Sequence, residues 1–158
     1  MSDLNWQLGL LRDISLPVGD KWMPSSTEDN LPYVGLEHIS PENPRVGEYG
    51  NSADVISTKN LFRAGDTLFG KLRPYLKKVA LADRSGVCST DIIPIRANSN
   101  ADPLFVYYLL SSPKVIAKAV ESSAGNVMPR ASWSDLADIE IKIPPLPEQK
   151  KIAEILSG

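Results

Sequence analysis

The C-terminal stretch IEIKIPPLPEQKKIAEILSG constrains the fold most, because it fixes where a strand must end. Isoleucine recurs at every second position, at Ile139, Ile141 and Ile143, and this period predicts a half-buried strand. Pro144 and Pro145 have no N–H to donate, so the strand must leave its sheet there. We therefore expect the chain to contain a sheet whose strand at residues 139–143 ends at these prolines.

A helix is predicted directly after these prolines. Pro147 suits the first helical position, and Glu148 places a negative charge where the helix dipole favours it. Ile152, Ile155 and Leu156 then form an apolar stripe at three- and four-residue spacing. Isolated helices shorter than ~12–15 residues are marginal in water. We therefore expect this helix either to pack on its own domain or to begin a longer one.

Short strands and helices alternate along the rest of the chain. Strands are predicted at the start of WQLGLLRDIS, in YVGLEHIS, and in DTLFG and KKVALA on either side of KLRPY. DIIPIRAN is predicted to be an edge or bulged strand because it contains Pro94. One helix should open at Asp102 and Pro103, and a second at Ser112 and Pro113. The pattern predicts a single α+β domain of short mixed strands with a few helices.

Composition places the chain among ordinary soluble proteins. A length of 158 residues suits one domain, and 42% hydrophobic and 23% charged residues are typical values. The lone cysteine, Cys88, excludes an internal disulfide framework and fits a reducing compartment. The start, MSDLNWQLGLLRD, lacks the features of a secretory signal. No stretch approaches the ~20 apolar residues of a membrane span. We therefore expect a cytoplasmic protein.

The net charge of −2 hides an uneven distribution of charge. Residues 1–54 hold three Lys/Arg and nine Asp/Glu, whereas residues 63–84 hold six Lys/Arg and two Asp/Glu. Residues 114–130 add a balance of +2. This distribution is compatible with one basic face on an acidic body, which is the electrostatic signature of a nucleic-acid binder. The alternative is chance clustering on a solvated surface.

No motif in the sequence predicts catalysis or a cofactor. DNLPY lacks the second proline of an NPPY-like adenine methylation motif, and no GxxxxGK[ST] phosphate loop is present. His38 and Cys88 have no spacing that would pair them, so we interpret His38 as a polar residue at a strand end and Cys88 as a small buried side chain.

The segment DIEIK imitates part of a metal-dependent nuclease site. Glu140 and Lys142, with Asp135 or Asp138 nearby, resemble the acidic and basic end of such a site. The strand period, however, directs Glu140 and Lys142 away from the isoleucine face, which favours a solvated strand surface. We expect no metal.

The same tail resembles a known family. IPPLPEQKKIAEILS closely resembles the segment that closes a target recognition domain in the specificity subunits of type I restriction–modification systems. The stretches LPYVGLEHIS, FRAGDTLFGKLRPYLKKVALAD, GVCSTDIIPIRA, FVYYLLSS and GNVMPRASWSDLADIEIKIPPLPEQ follow in the family's order. The resemblance implies a recognition domain at 1–143 and the start of a conserved spacer helix at 144–158. Family members carry two of each, so we expect a truncated helix here.

The resemblance also implies a function and partners. The chain would be a non-catalytic module that recognises one half-site of double-stranded DNA, mainly in the major groove. It would work with an adenine methyltransferase subunit that uses S-adenosylmethionine and, through the complex, with a restriction subunit that acts as translocase and nuclease. The helical stripe of Ile152, Ile155 and Leu156 would bind a partner. The alternatives are a protein–protein module that binds the methyltransferase without recognising DNA, or the nuclease above.

The segment GKLRPYLKK is the first candidate for DNA contact. We expect a turn at Gly70, stiffened by Pro74, from which basic and aromatic side chains project: Lys71, Arg73, Tyr75, Lys77 and Lys78. Arginine suits a guanine edge, lysine suits phosphate, and tyrosine packs on a sugar or a thymine methyl. Alternatively, Tyr75 belongs to the core and the lysines only keep a hairpin soluble.

The segment SSAGNVMPRAS is the second candidate. Asn126 suits an adenine edge, and Arg130 suits phosphate or guanine. Alternatively, this is an ordinary connecting loop with Met128 turned inward. Lys114 and Lys118 lie one helical turn apart and are candidates for phosphate contact, with a solvated helix face as the alternative.

Overall fold

The computed structural model describes residues 5–24 and 30–158 and confirms an α+β fold. Its strands are β1 (Gln7–Leu10), β2 (Ser15–Pro17), β3 (Lys21–Trp22), β4 (Pro32–Val34), β5 (Gly50–Asn51), β6 (Lys59–Phe62), β7 (Thr67–Gly70), β8 (Val79–Leu81), β9 (Gly86–Cys88), β10 (Ile92–Ala97) and β11 (Glu140–Ile143). Its α-helices are α1 (Pro103–Leu110), α2 (Pro113–Ser123), α3 (Trp133–Ala137) and α4 (Leu146–Ser157). Single 3-10 turns occur at Leu11–Asp13, Leu36–His38, Ser52–Asp54 and Pro74–Leu76. The polar segment MPSSTEDNLP predicts a loop, and residues 25–29 within it lie outside the described residues.

The described strands form three sheets. A four-stranded antiparallel sheet has the order β2-β10-β7-β8, and a five-stranded mixed sheet has the order β3-β6-β9-β4-β5. In the mixed sheet, β4 and β9 run parallel. The predicted tail strand is confirmed as β11, which pairs antiparallel with β1. The first and the last described strands therefore pair with each other.

The two inner strands of the four-stranded sheet, β7 and β10, pack on both faces. On one face, Phe69 and Ile95 pack in a cluster with the helices. On the other face, Leu68 and Ile92 pack in a second cluster that includes Cys88 of the five-stranded sheet. Side chains alternate between the two faces along a strand, so β7 and β10 each supply both clusters. This central sheet is the rigid support for the loops that leave its ends.

The prediction that Pro94 marks an edge strand is wrong. Its strand, β10, lies in the interior of the sheet, between β2 and β7. The Pro94 carbonyl accepts a hydrogen bond from the Val18 nitrogen at 2.8 Å, just beyond the last β2 pair, Ile95 with Pro17. The carbonyl and nitrogen of one strand residue face the same side, so the proline nitrogen points past the end of β2. Proline has no hydrogen to return to Val18, so the ladder between β2 and β10 ends at this pair.

The predicted helix starts are largely confirmed. The Asp102 carboxylate caps α1 by accepting from the Phe105 nitrogen at 3.0 Å. Ser112 precedes α2 as expected but makes no side-chain cap bond, because its hydroxyl donates back to the Leu109 carbonyl at 2.6 Å. The final helix begins at Leu146, one residue before the predicted Pro147.

The apolar stripe predicted on α4 divides between two environments. Gln149 and Ala153 are buried against the domain, and Ile152 is half-buried against the helix-side cluster. The Gln149 side chain accepts from the Asp102 nitrogen at 2.8 Å and donates to the Pro144 carbonyl at 2.9 Å. Ile155 and Leu156 are 67% and 58% exposed. The first two turns therefore pack on the domain, and the last turn does not. A domain boundary between 143 and 144 stays a prediction.

Helices in the described part of the chain are all too short or too polar to cross a membrane.

Candidate nucleic-acid interface

The two segments that the sequence singled out lie side by side. The first segment, residues 71–78, leaves the end of β7, and the second, residues 124–131, follows α2; together we call them the paired loops. Leu72 and Arg130 form an antiparallel bridge. It is flanked by hydrogen bonds from the Arg73 nitrogen to the Pro129 carbonyl at 2.7 Å and from the Ala131 nitrogen to the Lys71 carbonyl at 2.9 Å. A single surface therefore carries both candidate sets of side chains.

Gly70 does not form the turn that the sequence predicted at this position. It is the last residue of β7 rather than the corner of a turn. A Cβ at this position would lie 2.8 Å from the Lys78 carbonyl oxygen and 3.1 Å from Leu36 Cδ2. Glycine is required here because the backbone of residue 78 approaches closely.

The first loop has an unusual backbone. Arg73 and Lys77 lie on either side of the 3-10 turn Pro74–Leu76, and both adopt the left-handed conformation, with φ of 51° and 55°. This conformation is uncommon for residues other than glycine, asparagine and aspartate, and such residues cluster at functional sites. Pro74 is buried, whereas Tyr75 is 53% exposed. The turn therefore presents Tyr75 outward, together with Leu76, which is 38% exposed.

The cations of the first loop have different surroundings. The Lys77 ammonium lies 3.2 Å from Glu42 Oε1, and the Lys78 ammonium donates to the Leu36 carbonyl at 2.9 Å. The Arg73 Nη2 lies 3.8 Å from the Met128 sulfur, and the guanidinium makes no other hydrogen bond or ion pair within the described residues. Within residues 5–24 and 30–158, the Lys71 ammonium makes no ion pair or hydrogen bond. Lys71 and Arg73 are thus the cations most available to a ligand.

The polar side chains of the second loop are held by neighbours. Arg130 donates from Nε to Asp91 Oδ1 at 2.8 Å. The Asn126 amide donates to the Ser123 carbonyl at 3.1 Å, just after α2. Gly125, with φ of 90°, lets the chain turn away from the helix there. Both candidate base readers therefore start from defined positions.

Apolar side chains are also exposed on the paired loops. Val127 is 95% exposed and Met128 46% exposed. Tyr75 is therefore not a core residue and Met128 is not turned inward, whereas the alternatives of a solvated hairpin and an ordinary connecting loop stay predictions. Exposed apolar groups beside cations suit thymine methyl groups and sugar surfaces, although they also suit a protein partner.

The remaining candidates lie elsewhere or have local roles. Lys114 donates to the Glu140 carbonyl, and Lys118 lies one turn further along the same exposed face of α2. Within residues 5–24 and 30–158, no three His, Cys, Asp or Glu side chains are grouped so that they could hold a metal ion. Glu140 is exposed on β11, as the solvated-strand interpretation of DIEIK predicted.

His38 and Cys88 have structural surroundings. His38 ends the 3-10 turn after β4, where its Nδ1 accepts from the Gly35 nitrogen at 2.8 Å and its ring meets Tyr33 edge to face. Cys88 is fully buried, and burial raises the pKa of its thiol from 9.0 to about 12. A thiol that stays protonated is a poor nucleophile. The burial of Cys88 confirms the expectation of a small buried side chain.

Three contacts of the paired loops were missed at the sequence level. Asp91 holds Arg130, Glu42 pairs with Lys77, and the Leu36 carbonyl binds Lys78. Glu42 is itself in the left-handed conformation, with φ of 59°, and its nitrogen donates to the Lys77 carbonyl at 3.2 Å. These residues are distant in the chain from the loops, so no local pattern could have indicated them.

A comparison with protein families assigns the chain to a family. The family described as "Type I restriction modification DNA specificity domain" matches residues 25–158. The chain belongs to this family. Specificity subunits of type I systems are non-catalytic, which agrees with the lack of catalytic motifs in the sequence.

Relatives of the specificity domain family support the assignment. The chain is 37% identical over 153 residues to the type I restriction enzyme EcoDI specificity subunit of Escherichia coli, covering 87% of this chain and 34% of that protein. Its fold matches the crystal structure of the HsdS subunit from Thermoanaerobacter tengcongensis with a TM-score of 0.84 and 26% identity, covering 98% of this chain and 42% of that one. A structure reported for complex assembly and conformational transition of a type I R-M system matches with a TM-score of 0.83 and 25% identity, covering 96% and 41%. The chain thus spans about a third of the curated relative and about two-fifths of the solved chains.

Proposed function

We propose that this specificity domain recognises one half-site of double-stranded DNA through the paired loops. The observation that carries the proposal is the backbone bridge between Leu72 and Arg130, which gathers the two candidate segments on one surface. Family membership supplies the DNA-specificity assignment, and the available cations Lys71 and Arg73 supply the charge that DNA binding needs.

The side chains of the paired loops divide by chemistry. Lys71, Lys77 and Lys78 suit phosphate oxygens, which position a protein without conveying sequence. Arg73, Asn126 and Arg130 suit base edges in the major groove, where arginine pairs with guanine and asparagine with adenine. Tyr75 adds an exposed ring for a sugar or a thymine methyl. The surface thus combines cations for phosphate with side chains that suit base edges, and a domain that recognises a half-site requires both.

The partners follow from the family. The domain directs an adenine methyltransferase subunit and, through the complex, a restriction subunit that translocates and cuts DNA. Residues 1–143 form the recognition domain, and residues 144–158 begin the spacer helix. The exposed Ile155 and Leu156, with the half-buried Ile152, form the contact for the methyltransferase or for a neighbouring helix. The complex works in the cytoplasm.

Salt-dependent DNA binding tests the proposal. We expect the isolated chain to bind duplex DNA weakly, with Kd values of roughly 10⁻⁴–10⁻⁶ M that rise steeply with salt. Fluorescence anisotropy across a salt series measures both quantities. A protein–protein module that does not recognise DNA would bind the methyltransferase and show no DNA affinity even at low salt. A chain with that behaviour would contradict the proposal.

A further inference from the structure

Asp91 makes hydrogen bonds to both paired loops. Its carbonyl accepts from the Lys71 nitrogen at 2.9 Å, and its nitrogen donates to Ser89 Oγ at 3.1 Å. The next residue, Ile92, is fully buried at the start of β10. The backbone of Asp91 is therefore anchored to the central sheet and to the first loop at the same time, which gives its carboxylate a defined position.

This carboxylate holds one part of Arg130. Asp91 Oδ1 accepts from the arginine Nε at 2.8 Å. In the described part of the chain, the two terminal Nη nitrogens make no hydrogen bond. Two parallel N–H donors at the end of a guanidinium match the O6 and N7 acceptors of guanine. The ion pair with Asp91 therefore restrains the Arg130 side chain and leaves its terminal Nη nitrogens available to a base.

We propose that Asp91 is a positioning residue that orients Arg130 for bidentate recognition of a guanine, an inference that rests on the proposed function. Ordering a long side chain costs conformational entropy on binding, and a side chain ordered beforehand avoids most of that cost. Asp91 therefore increases discrimination at one base pair without contacting DNA.

Charge decides between guanine and phosphate as the ligand of Arg130. The Asp91 carboxylate neutralises much of the arginine charge, so the pair attracts a phosphate weakly. Loss of that attraction matters little for base recognition, which depends on donor geometry. Removal of Asp91 should therefore have two opposite effects: weaker discrimination at one guanine and stronger binding to any DNA.

The experiment combines site selection with a base analogue. Preferred sites are selected from a random duplex library with the reconstituted complex that carries the wild-type chain, because the isolated chain binds DNA too weakly for selection. Affinities are then measured for the selected site and for versions with 7-deazaguanine, which lacks the N7 acceptor, at each guanine. Wild type, Asp91→Asn and Asp91→Ala are compared, with thermal melting to confirm that each variant is folded.

We expect one guanine at which the analogue weakens wild-type binding on the order of tenfold. Asp91→Ala should reduce that sensitivity by several-fold, and Asp91→Asn should lie between, because its amide oxygen still accepts from Nε. Both variants should bind non-specific DNA more tightly than wild type, with a salt slope steeper by roughly one phosphate contact.

Other results separate the inference from the proposed function. If the wild type selects a site but Asp91→Ala and Asp91→Asn show the same analogue sensitivity as wild type, Asp91 belongs to an ordinary surface ion pair and the inference is wrong. A selected site without an analogue-sensitive guanine also overturns it. Failure of the wild type to bind DNA at all removes the proposed function, and the inference with it.

Discussion

At the residue scale, the basic side chains of the first loop should contribute unequally to DNA binding. Lys71 can bind a phosphate without losing an ion pair or hydrogen bond to the described residues, whereas Lys78 must release the Leu36 carbonyl. Lys77 is intermediate, because its pair with Glu42 is exposed and such pairs contribute little. The sequence alone treats these lysines as equivalent, since only their contacts distinguish them.

Lys71→Ala should therefore weaken DNA binding by a similar factor for all sequences and lower the salt slope by roughly one phosphate contact. Lys78→Ala should change the slope less and instead lower the free energy of unfolding by about 0.5–1.5 kcal/mol through the lost hydrogen bond. Anisotropy titrations and chemical denaturation measure the two effects. Lys150→Ala, an exposed lysine on α4, is the matched control. Equal salt slopes for Lys71→Ala and Lys150→Ala would contradict this ranking.

At the element scale, the first loop depends on the close pairing of β7 and β8. The Gly70 nitrogen donates to the Lys78 carbonyl at 2.8 Å, so the loop begins and ends at nearly the same place. The left-handed Arg73 and Lys77 then fix the direction of the turn. Rigid support of this kind is what precise base recognition requires.

Gly70→Ala should disturb this element selectively. The added Cβ would lie 2.8 Å from a backbone oxygen, so the two strands must separate, at a cost of about 1–3 kcal/mol in the free energy of unfolding. DNA affinity should fall with it, because residues 71–78 shift. Gly19→Ala is the control, since a Cβ there meets nothing within 4 Å. Chemical denaturation decides the matter: equal midpoints for the two variants would refute the steric role of Gly70.

Local patterns in the sequence predicted where strands and helices lie, but not which segments pair with each other in the fold. Alternating isoleucines located β11, and the Asp102–Pro103 pair located the start of α1, because both signals depend on adjacent residues. Pro94 misled, because its effect depends on where β2 ends. The bridge from Leu72 to Arg130 and the contact of Asp91 join segments distant in the chain. Such pairings are set by the tertiary fold, so the candidate side chains could be predicted but not their arrangement.

At the scale of the whole molecule, α4 connects the domain to its proposed partners. Gln149 and Ala153 fix the helix to the domain, whereas Ile155 and Leu156 remain exposed. Short apolar surfaces of this kind bury little area on association. We therefore expect the chain to be a monomer or to self-associate weakly.

Ile155→Lys and Leu156→Lys should weaken binding to the methyltransferase subunit without lowering stability, because both side chains are exposed. Ala153→Lys is the contrasting variant: it places a charge in a buried position and should destabilise the domain itself. Size-exclusion chromatography of the mixed subunits, with thermal melting of each variant, measures both effects. Undiminished complex formation by the two exposed variants would place the contact elsewhere. A tight dimer that survives deletion of residues 147–158 would show that α4 is not the contact for self-association.

The central claim is that the paired loops recognise the half-site, and the site preference of the assembled complex tests it most directly. A library of half-sites is methylated by the reconstituted complex carrying wild type, Arg73→Ala, Asn126→Ala or Arg130→Ala, and the methylated sites are sequenced. Each side chain that contacts a base should, when removed, relax the preference at one position by about 1–3 kcal/mol and leave the other positions unchanged. An identical site preference for wild type and all three variants would contradict the claim and place the recognition surface elsewhere on the domain.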